Sequence, residues 1–228
     1  MITMVADPAA LEQVLFGPDG VSDTIAPDAT LIDMSTVGPK AIRAAAEKLH
    51  PVAVLDAPVL GSVPHAAAGT LAILVGGEPD VLARCAEILG ALGTVRHVGR
   101  LGAGATVKLA ANAANMSTMV CLGEVFALTD RDGLEPDVVL DALGLGPLGS
   151  FVDRFRDKVL GRVESVDFRL ARARKDLALA LEAGEAGGLV LTIPRSAIAR
   201  CDEAIGAGRA DEDNTSVIPD IRSRAGSE

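Results

Sequence analysis

Lys108 and Asn112 stand four residues apart in GAGATVKLAANAAN (102–115), directly after the β-like run TVRHVG (94–99). On a helix that spacing places an ammonium group and a carboxamide on one face. Burial lowers an ammonium's hold on its proton, so a lysine among apolar neighbours suits proton exchange. Val107, Leu109, Ala110 and Ala113 supply such neighbours. On the residues alone three readings stay open: a phosphate-binding loop, a catalytic lysine, or an ordinary helix start with a solvated stripe. The phosphate loop is the weakest of them. Gly102 and Gly104 are followed by no third glycine and no acidic ribose partner at the expected offset.

Ser35 and Thr36 close the strand-like run TLIDMS (30–35) and its turn. Ligands of open α/β sheets lie beyond the carboxyl ends of strands, so these hydroxyls and nearby N–H groups are candidates for a ribose. The competing reading is a helix N-cap ahead of Pro39. Lys175 and Asp176 sit in RARKDLALALE, which also reads as a charged helix face.

The elements that must position these groups alternate over the first hundred residues. ITMVA (2–6), TLIDMS (30–35), AVLDAPV (53–59), LAILVGG (71–77) and VRHVG (95–99) are strand-like. Helices are expected over 7–16, with Asp7 as N-cap and Pro8 at the first helical position, and over 39–50 and 79–92. That rhythm predicts a largely parallel sheet covered by helices. From Leu101 the strand signal stops. Helical patterns cover 104–131, 136–144, 150–160, 168–187 and 194–207, punctuated by glycine, and the tail RSRAGSE reads as frayed. The expected domains are therefore 1–100, α/β, and 101–228, all-α.

Composition narrows the function. A formal charge of −10 argues against a phosphate-tracking surface and hence against nucleic acid. Cys85, Cys121 and Cys201 are widely spaced and read as buried small hydrophobes of a reducing compartment; with three scattered histidines they give no metal-ligand spacing. The N-terminus lacks a basic leader, and the most apolar stretch, 105–130, carries Lys108, Asn112, Asn115 and Glu124. A soluble, cytoplasmic protein without a membrane span is expected. With Trp and Tyr absent, the core falls to Ala, Val and Leu.

Four segments in order, DMSTVGP (33–39), DAPVLGSVPHAAAGTLAILVGG (56–77), GAGATVKLAANAAN (102–115) and KDLALALEAGEAGG (175–188), resemble the β-hydroxyacid dehydrogenase family. Its relatives include 6-phosphogluconate dehydrogenase, 3-hydroxyisobutyrate dehydrogenase and the imine reductases. The resemblance runs through DEDNTSVI (211–218). It implies a truncated Rossmann-like parallel sheet, a long interdomain helix and an all-α second domain that dimerises. It further implies an NAD- or NADP-dependent enzyme moving hydride between a nicotinamide and a hydroxyacid-like or carbonyl substrate. In the pattern GxGxxxKxxxN, Lys108 would be the general acid/base and Asn112 its partner. Ser35, Thr36 and Lys175 would face the cofactor. Asp213 falls at the position of an acidic residue near the family's cleft, and Phe168 would pack beside Lys175. The family's glycine fingerprint has no counterpart after ITMVA and would lie upstream of residue 1.

One segment departs from the pattern. Where the family has serine and two glycines for a substrate carboxylate, this chain has Leu60, Gly61 and Ser62. Leucine there favours a more apolar or bulkier substrate. Imine reduction, or a non-catalytic chain that binds no dinucleotide, are the alternatives.

Overall fold

In the computed structural model, which describes residues 1–225, the chain opens with β1 (Ile2–Thr3), α1 (Pro8–Phe16), β2 (Thr30–Asp33), α2 (Gly38–Leu49) and β3 (Ala53–Asp56). There follow β4 (Val59–Leu60), α3 (Val63–Ala67), β5 (Leu71–Gly76), α4 (Pro79–Gly90) and β6 (Gly93–Gly99). The remaining elements are helical: α5 (Ala103–Asp130), α6 (Pro136–Gly144), α7 (Gly149–Val159), α8 (Leu170–Ala186), α9 (Thr192–Gly206) and α10 (Val217–Ala225). The α/β class and the all-helical second half agree with the sequence. The expected start of α1 is also found: Ala10 N–H donates to Asp7 Oδ1 at 2.9 Å, and Pro8 is the first helical residue.

The chain divides into two compact units, Met1–Ala113 with Ala178–Val190, and Ala114–Leu177 with the segment from Leu191 onward. α5 and α8 each contribute residues to both.

In the first unit β1, β2 and β3 are parallel, and β5 and β6 are parallel, but β5 runs antiparallel to β3 and β4. The sheet is thus largely parallel, as expected, except that β5 turns antiparallel where it meets β3 and β4. The reason lies in AVLDAPV, which does not remain one strand. Pro58 has no N–H to give the ladder, so β3 ends at Asp56 and β4 resumes at Val59 beside β5. Period-two alternation then sends Leu31 and Val54 to one face and Ile32 and Leu55 to the other. The first face is covered by Leu11 and Leu15 of α1 and Ile42 and Leu49 of α2; Cys85 and Leu89 of α4 cover the second.

The register draws one row across the sheet. Thr3 pairs with Asp33, Asp33 with Asp56, Asp56 with Gly76, and Gly76 with Gly99. Two acids therefore lie side by side at the carboxyl ends of β2 and β3, both 1 % exposed.

In the second unit Met116, Met119, Leu122 and Phe126 of α5 are buried with Leu140, Val152 and Cys201. Gly123 lets α10 approach closely, since a Cβ there would lie 2.8 Å from Ile221 Cδ1 and 3.3 Å from Ile218 Cα. The tail is more ordered than its composition suggests. Arg222 holds Asp130 through two bonds of 2.7 and 2.8 Å, and Arg224 bonds Asp220 at 2.8 Å, so 222–225 continue α10. The rest of the expected frayed tail, 226–228, lies outside the described residues. Cys85 and Cys201 are buried as expected, but Cys121 is exposed, because it falls on the outer side of α5. Among the described residues no helix is long and apolar enough to cross a membrane, and no cluster of three or more acidic, His or Cys residues is placed to hold a metal.

Candidate functional site

The glycines ahead of Lys108 are explained by what approaches them. Asp56, at the end of β3, accepts the Gly102 N–H on Oδ1 and the Ala105 N–H on Oδ2, both at 2.7 Å. It thereby satisfies two backbone donors that the start of a helix leaves without an intrahelical partner. The Ala103 N–H is met by Arg100 O at 2.9 Å. A Cβ on Gly104 would overlap Leu74 O and lie 2.9 Å from Asp56 Oδ2; one on Gly76 would overlap Asp56 Oδ1. Gly102 has φ +90°, a left-handed conformation, and a Cβ there would meet Arg43 Nε at 2.7 Å. Arg43 Nε in turn donates to Leu101 O at 3.1 Å. No side chain larger than hydrogen would let α5 seat its first turn on the sheet.

The glycine pair therefore serves the docking of a helix rather than a phosphate. α5 is 28 residues long, about 42 Å at the usual helical rise. Lys108 follows Gly104 by four residues and Ala105 by three, so it sits one turn above the clamped residues, with Asn112 one turn further. Both are half-buried and both belong to the first unit, whereas Val107 and Ala110 are exposed and Leu109 and Ala113 are buried.

Asp33 holds the neighbouring junction. Its Oδ1 accepts the Thr3 hydroxyl at 2.8 Å and the Ser35 hydroxyl at 2.7 Å, while Ser35 Oγ accepts the Val5 N–H at 2.8 Å. Ser35 is buried and its hydroxyl is spent on this strap; Thr36 beside it is half-buried. Neither caps α2, whose N-cap is Val37 without a side-chain hydrogen bond. Burial pushes the carboxyls of both Asp33 and Asp56 above their ordinary value of 3.8, against the hydrogen bonds that favour the ionised form. A raised folded value means that these acids contribute stability fully present below pH 3.8, which declines as pH rises through the folded values.

Leu60 ends β4, and Gly61 and Ser62 follow it in the same unit. Leu60 is half-buried and Gly61 exposed. Gly61 has φ +141°, and a Cβ on it would come 2.8 Å from Leu71 Cδ2. Ser62 caps α3 reciprocally with His65: its N–H donates to His65 Nδ1 at 3.2 Å and its hydroxyl lies 3.1 Å from the same nitrogen. With Nδ1 accepting, the neutral ring carries its proton on Nε2.

In the second unit Lys175 Nζ pairs with Asp176 Oδ1 at 2.9 Å, and Asp176 is 2 % exposed. Phe168 contributes a backbone N–H that donates to Asp213 Oδ2 at 3.2 Å. That carboxylate also receives Lys158 Nζ at 3.0 Å, the Asp167 N–H at 2.9 Å and the Thr215 N–H at 3.3 Å. Burial acts to raise its pKa, but the Lys158 ammonium and these N–H donors outweigh that and hold it below 3.8. Asp213 is a structural clasp. A cleft of about 350 Å³ runs beside it, yet its cations are engaged, Lys158 with Asp167 and Asp213 and Arg222 with Asp130. A depressed value contributes stability that is present above pH 3.8 and lost as pH falls through the folded value. Asp213→Asn is accordingly expected to destabilise the chain by about 2–3 kcal/mol at neutral pH. In thermal melts across pH, its deficit against the parent should shrink as pH drops below 3.8 and close once pH is under the folded value.

The structure thus brings Ser35, Thr36, Leu60, Gly61, Ser62, Lys108 and Asn112 into one unit, with Lys175 in the other. Sequence reading overlooked Asp56, Asp33 and Arg43. A signal was present for the acids: each ends an otherwise apolar strand, TLID and AVLD, where a carboxylate is costly unless bonded.

Comparison with known proteins agrees with the fold. Residues 1–102 match the NAD binding domain of 6-phosphogluconate dehydrogenase, and residues 102–221 match the NAD-binding domain of NADP-dependent 3-hydroxyisobutyrate dehydrogenase. The chain is 32 % identical to 2-(hydroxymethyl)glutarate dehydrogenase of Eubacterium barkeri, over 92 % of this chain and 72 % of that protein. It is 31 % identical to 3-sulfolactaldehyde reductase of Escherichia coli K12, over 99 % of this chain and 78 % of that one. Among solved structures, 3-hydroxyisobutyrate dehydrogenase of Mycobacterium tuberculosis with L-serine superposes with a TM-score of 0.86 at 27 % identity, covering 97 % of this chain and 78 % of that one. The chain belongs to the β-hydroxyacid dehydrogenase family. It is an NAD(P)-dependent oxidoreductase.

The described residues fit one end of such a cofactor. The start of α1, after β1, is filled by the Asp7 carboxylate and offers no glycine turn, so it does not suit a diphosphate. Beyond the carboxyl end of β2, where ligands of such sheets lie, the half-buried Thr36 and the backbone beside it are polar groups of a kind that suits a ribose, the Ser35 hydroxyl being already bonded.

Proposed function

We propose that Lys108 is the general acid/base of this oxidoreductase, exchanging a proton with the oxygen of a hydroxyacid-like or carbonyl substrate. The observation supporting this most strongly is the seating of α5. A buried carboxylate fixes its first turn, and an ammonium and a carboxamide follow on successive turns. When bound, the nicotinamide exchanges hydride with the substrate carbon. In the oxidative direction the Lys108 amine takes the hydroxyl proton as the C–H bond yields its hydride and C=O forms. In the reductive direction the ammonium returns that proton to the developing alkoxide. Asn112 holds the substrate oxygen or the lysine by hydrogen bonding. Ser35 acts by keeping its junction in place, with Thr36 and the adjoining N–H groups turned to the ribose. Lys175 contacts the nicotinamide end on the strength of the family resemblance alone.

Leu60, Gly61 and Ser62 bound the end of the substrate that carries its acid group. Leucine in place of a hydroxyl selects for a larger apolar body. The domain roles follow: residues 1–100 for the cofactor and 101–228 for substrate and for a homodimer. Exposed Leu128, Val138 and Leu145, at 69, 58 and 92 %, are apolar surface such a dimer would cover.

The test pairs calorimetric titration of the chain with NAD⁺, NADP⁺ and their reduced forms with assays on 3-hydroxyisobutyrate, 2-(hydroxymethyl)glutarate and L-serine. Saturable binding of one nucleotide and turnover of at least one hydroxyacid are expected. Leu60→Ser should raise kcat/KM for 3-hydroxyisobutyrate about tenfold, the scale of one added hydrogen bond to a charged group. A folded chain that binds none of the nucleotides sinks the proposal, and turnover of cyclic imines alone moves it to imine reduction.

A further inference from the structure

We propose that Asp56 is the positioning residue of the Lys108 centre, fixing through its grip on Gly102 and Ala105 both where the ammonium stands and how readily it gives up its proton. The inference rests on the reading of Lys108 as acid/base. Asp56 does not touch substrate or cofactor in it.

The argument begins with a cost. A carboxylate that is 1 % exposed is expensive to keep in the ionised form. Here it terminates β3, where an apolar residue would continue the run Ala53–Val54–Leu55. What it obtains is a pair of 2.7 Å bonds from the first turn of α5, an acceptor for each of two donors. The neighbouring chain is cut away to make room, since Gly76 and Gly104 both lack the Cβ that would strike Asp56. Of the titratable groups beside it, the Arg43 guanidinium favours its ionised form, while the Asp33 carboxyl, its neighbour in the sheet, opposes it. An ordinary helix start is capped by the residue just before it. This one is capped from a strand 46 residues earlier, so the helix is fixed relative to the sheet and not merely begun.

Two consequences reach Lys108. Its side chain leans toward the helix N-terminus, as helical side chains do, back toward the turn that Asp56 holds. The uncompensated start of a helix is electropositive and would disfavour an ammonium nearby. A carboxylate lodged there cancels that potential and stabilises the ammonium. Removing the charge while keeping the shape should make Lys108 lose its proton at lower pH, even with the fold intact.

The chain has five lysines, so each ¹³Cε resonance is separable in a lysine-labelled sample. Lys108→Met assigns the relevant one. In Asp56→Asn the Lys108 midpoint is expected to fall by roughly half a pH unit to one unit, the scale of one charge at that range. Those of Lys40, Lys48, Lys158 and Lys175 should stay in place. Should Asp56→Asn not fold, the parent chain serves. The Gly102 and Ala105 amide shifts report protonation of Asp56, and the Lys108 resonance must step at the same acidic midpoint. A folded Asp56→Asn with an unmoved Lys108, or a parent whose Lys108 ignores the Gly102 and Ala105 titration, overturns the proposal. Full activity of Lys108→Met would instead overturn the acid/base reading and leave these titrations intact, so the two failures are told apart.

Discussion

Lys108→Met lowers kcat for hydroxyacid oxidation by about 10²- to 10⁴-fold, the usual contribution of a positioned general acid/base, while KM changes little. Methionine keeps the length and apolar stem of the side chain and removes the proton-exchanging group. α5 should therefore dock as before, because its anchorage lies at Gly102 and Ala105 and not at Lys108. Nucleotide affinity measured by calorimetry should be unchanged. A small primary amine added to the assay should restore part of the rate, since the lost function is a proton acceptor and not a packing contact. If kcat falls only in proportion to nucleotide affinity, the lysine is a binding residue and the assignment fails. If the amine restores nothing while a circular dichroism melt shows a destabilised fold, the loss is structural.

Gly104→Ala lowers the stability of the chain by about 2–4 kcal/mol, with a fall in Tm of roughly 5–15 °C. The sign carries the test. On helix propensity alone, alanine inside a helix is better than glycine by about 0.5–1 kcal/mol, and Gly104 lies in the second position of a 28-residue helix. The close approach decides otherwise, because the added methyl would overlap Leu74 O and crowd Asp56 Oδ2. Those atoms belong to the backbone of β5 and to a doubly bonded carboxylate, and neither can move cheaply. Gly90→Ala is the control. That helical glycine has nothing within 4 Å of its Cβ position, so the substitution should be neutral or mildly stabilising. If both variants melt alike, the seating of α5 on the sheet is looser than the distances indicate.

Relatives of the chain act, by their names, on different hydroxyacids and aldehydes. The residues that vary against the family pattern, Leu60 at the end of β4 and Ser62 at the cap of α3, are both half-buried, and the short helix they lead into is capped by its own serine and histidine. On the proposed assignment, a rigid helix carries the proton-exchanging group and a separate segment bounds the substrate body, a division that scaffolds and loops commonly show.

The sequence by itself determined most of the element types, the change of character near residue 100 and the family. Each of these is written locally. Period-two runs bounded by proline and glycine mark strands, 3.6-residue patterns mark helices, and four motifs in order carry the resemblance. Lys108 and Asn112 were also visible, because spacing alone puts them on one helical face. What local pattern cannot carry is pairing. The antiparallel turn of β5 against β3 and β4 depends on a break at Pro58 whose effect appears only when a partner strand is present. The purpose of the glycines at 102 and 104 was hidden for the same reason: the atoms that exclude a Cβ come from Asp56, Leu74 and Arg43, distant in the chain. Ser35 offered a hydroxyl to a ligand in sequence, and the fold gave that hydroxyl to Asp33 and Val5. The sequence states which groups are available. Only the tertiary structure states which are already bonded, since hydrogen bonds and excluded volume act between residues that meet in space.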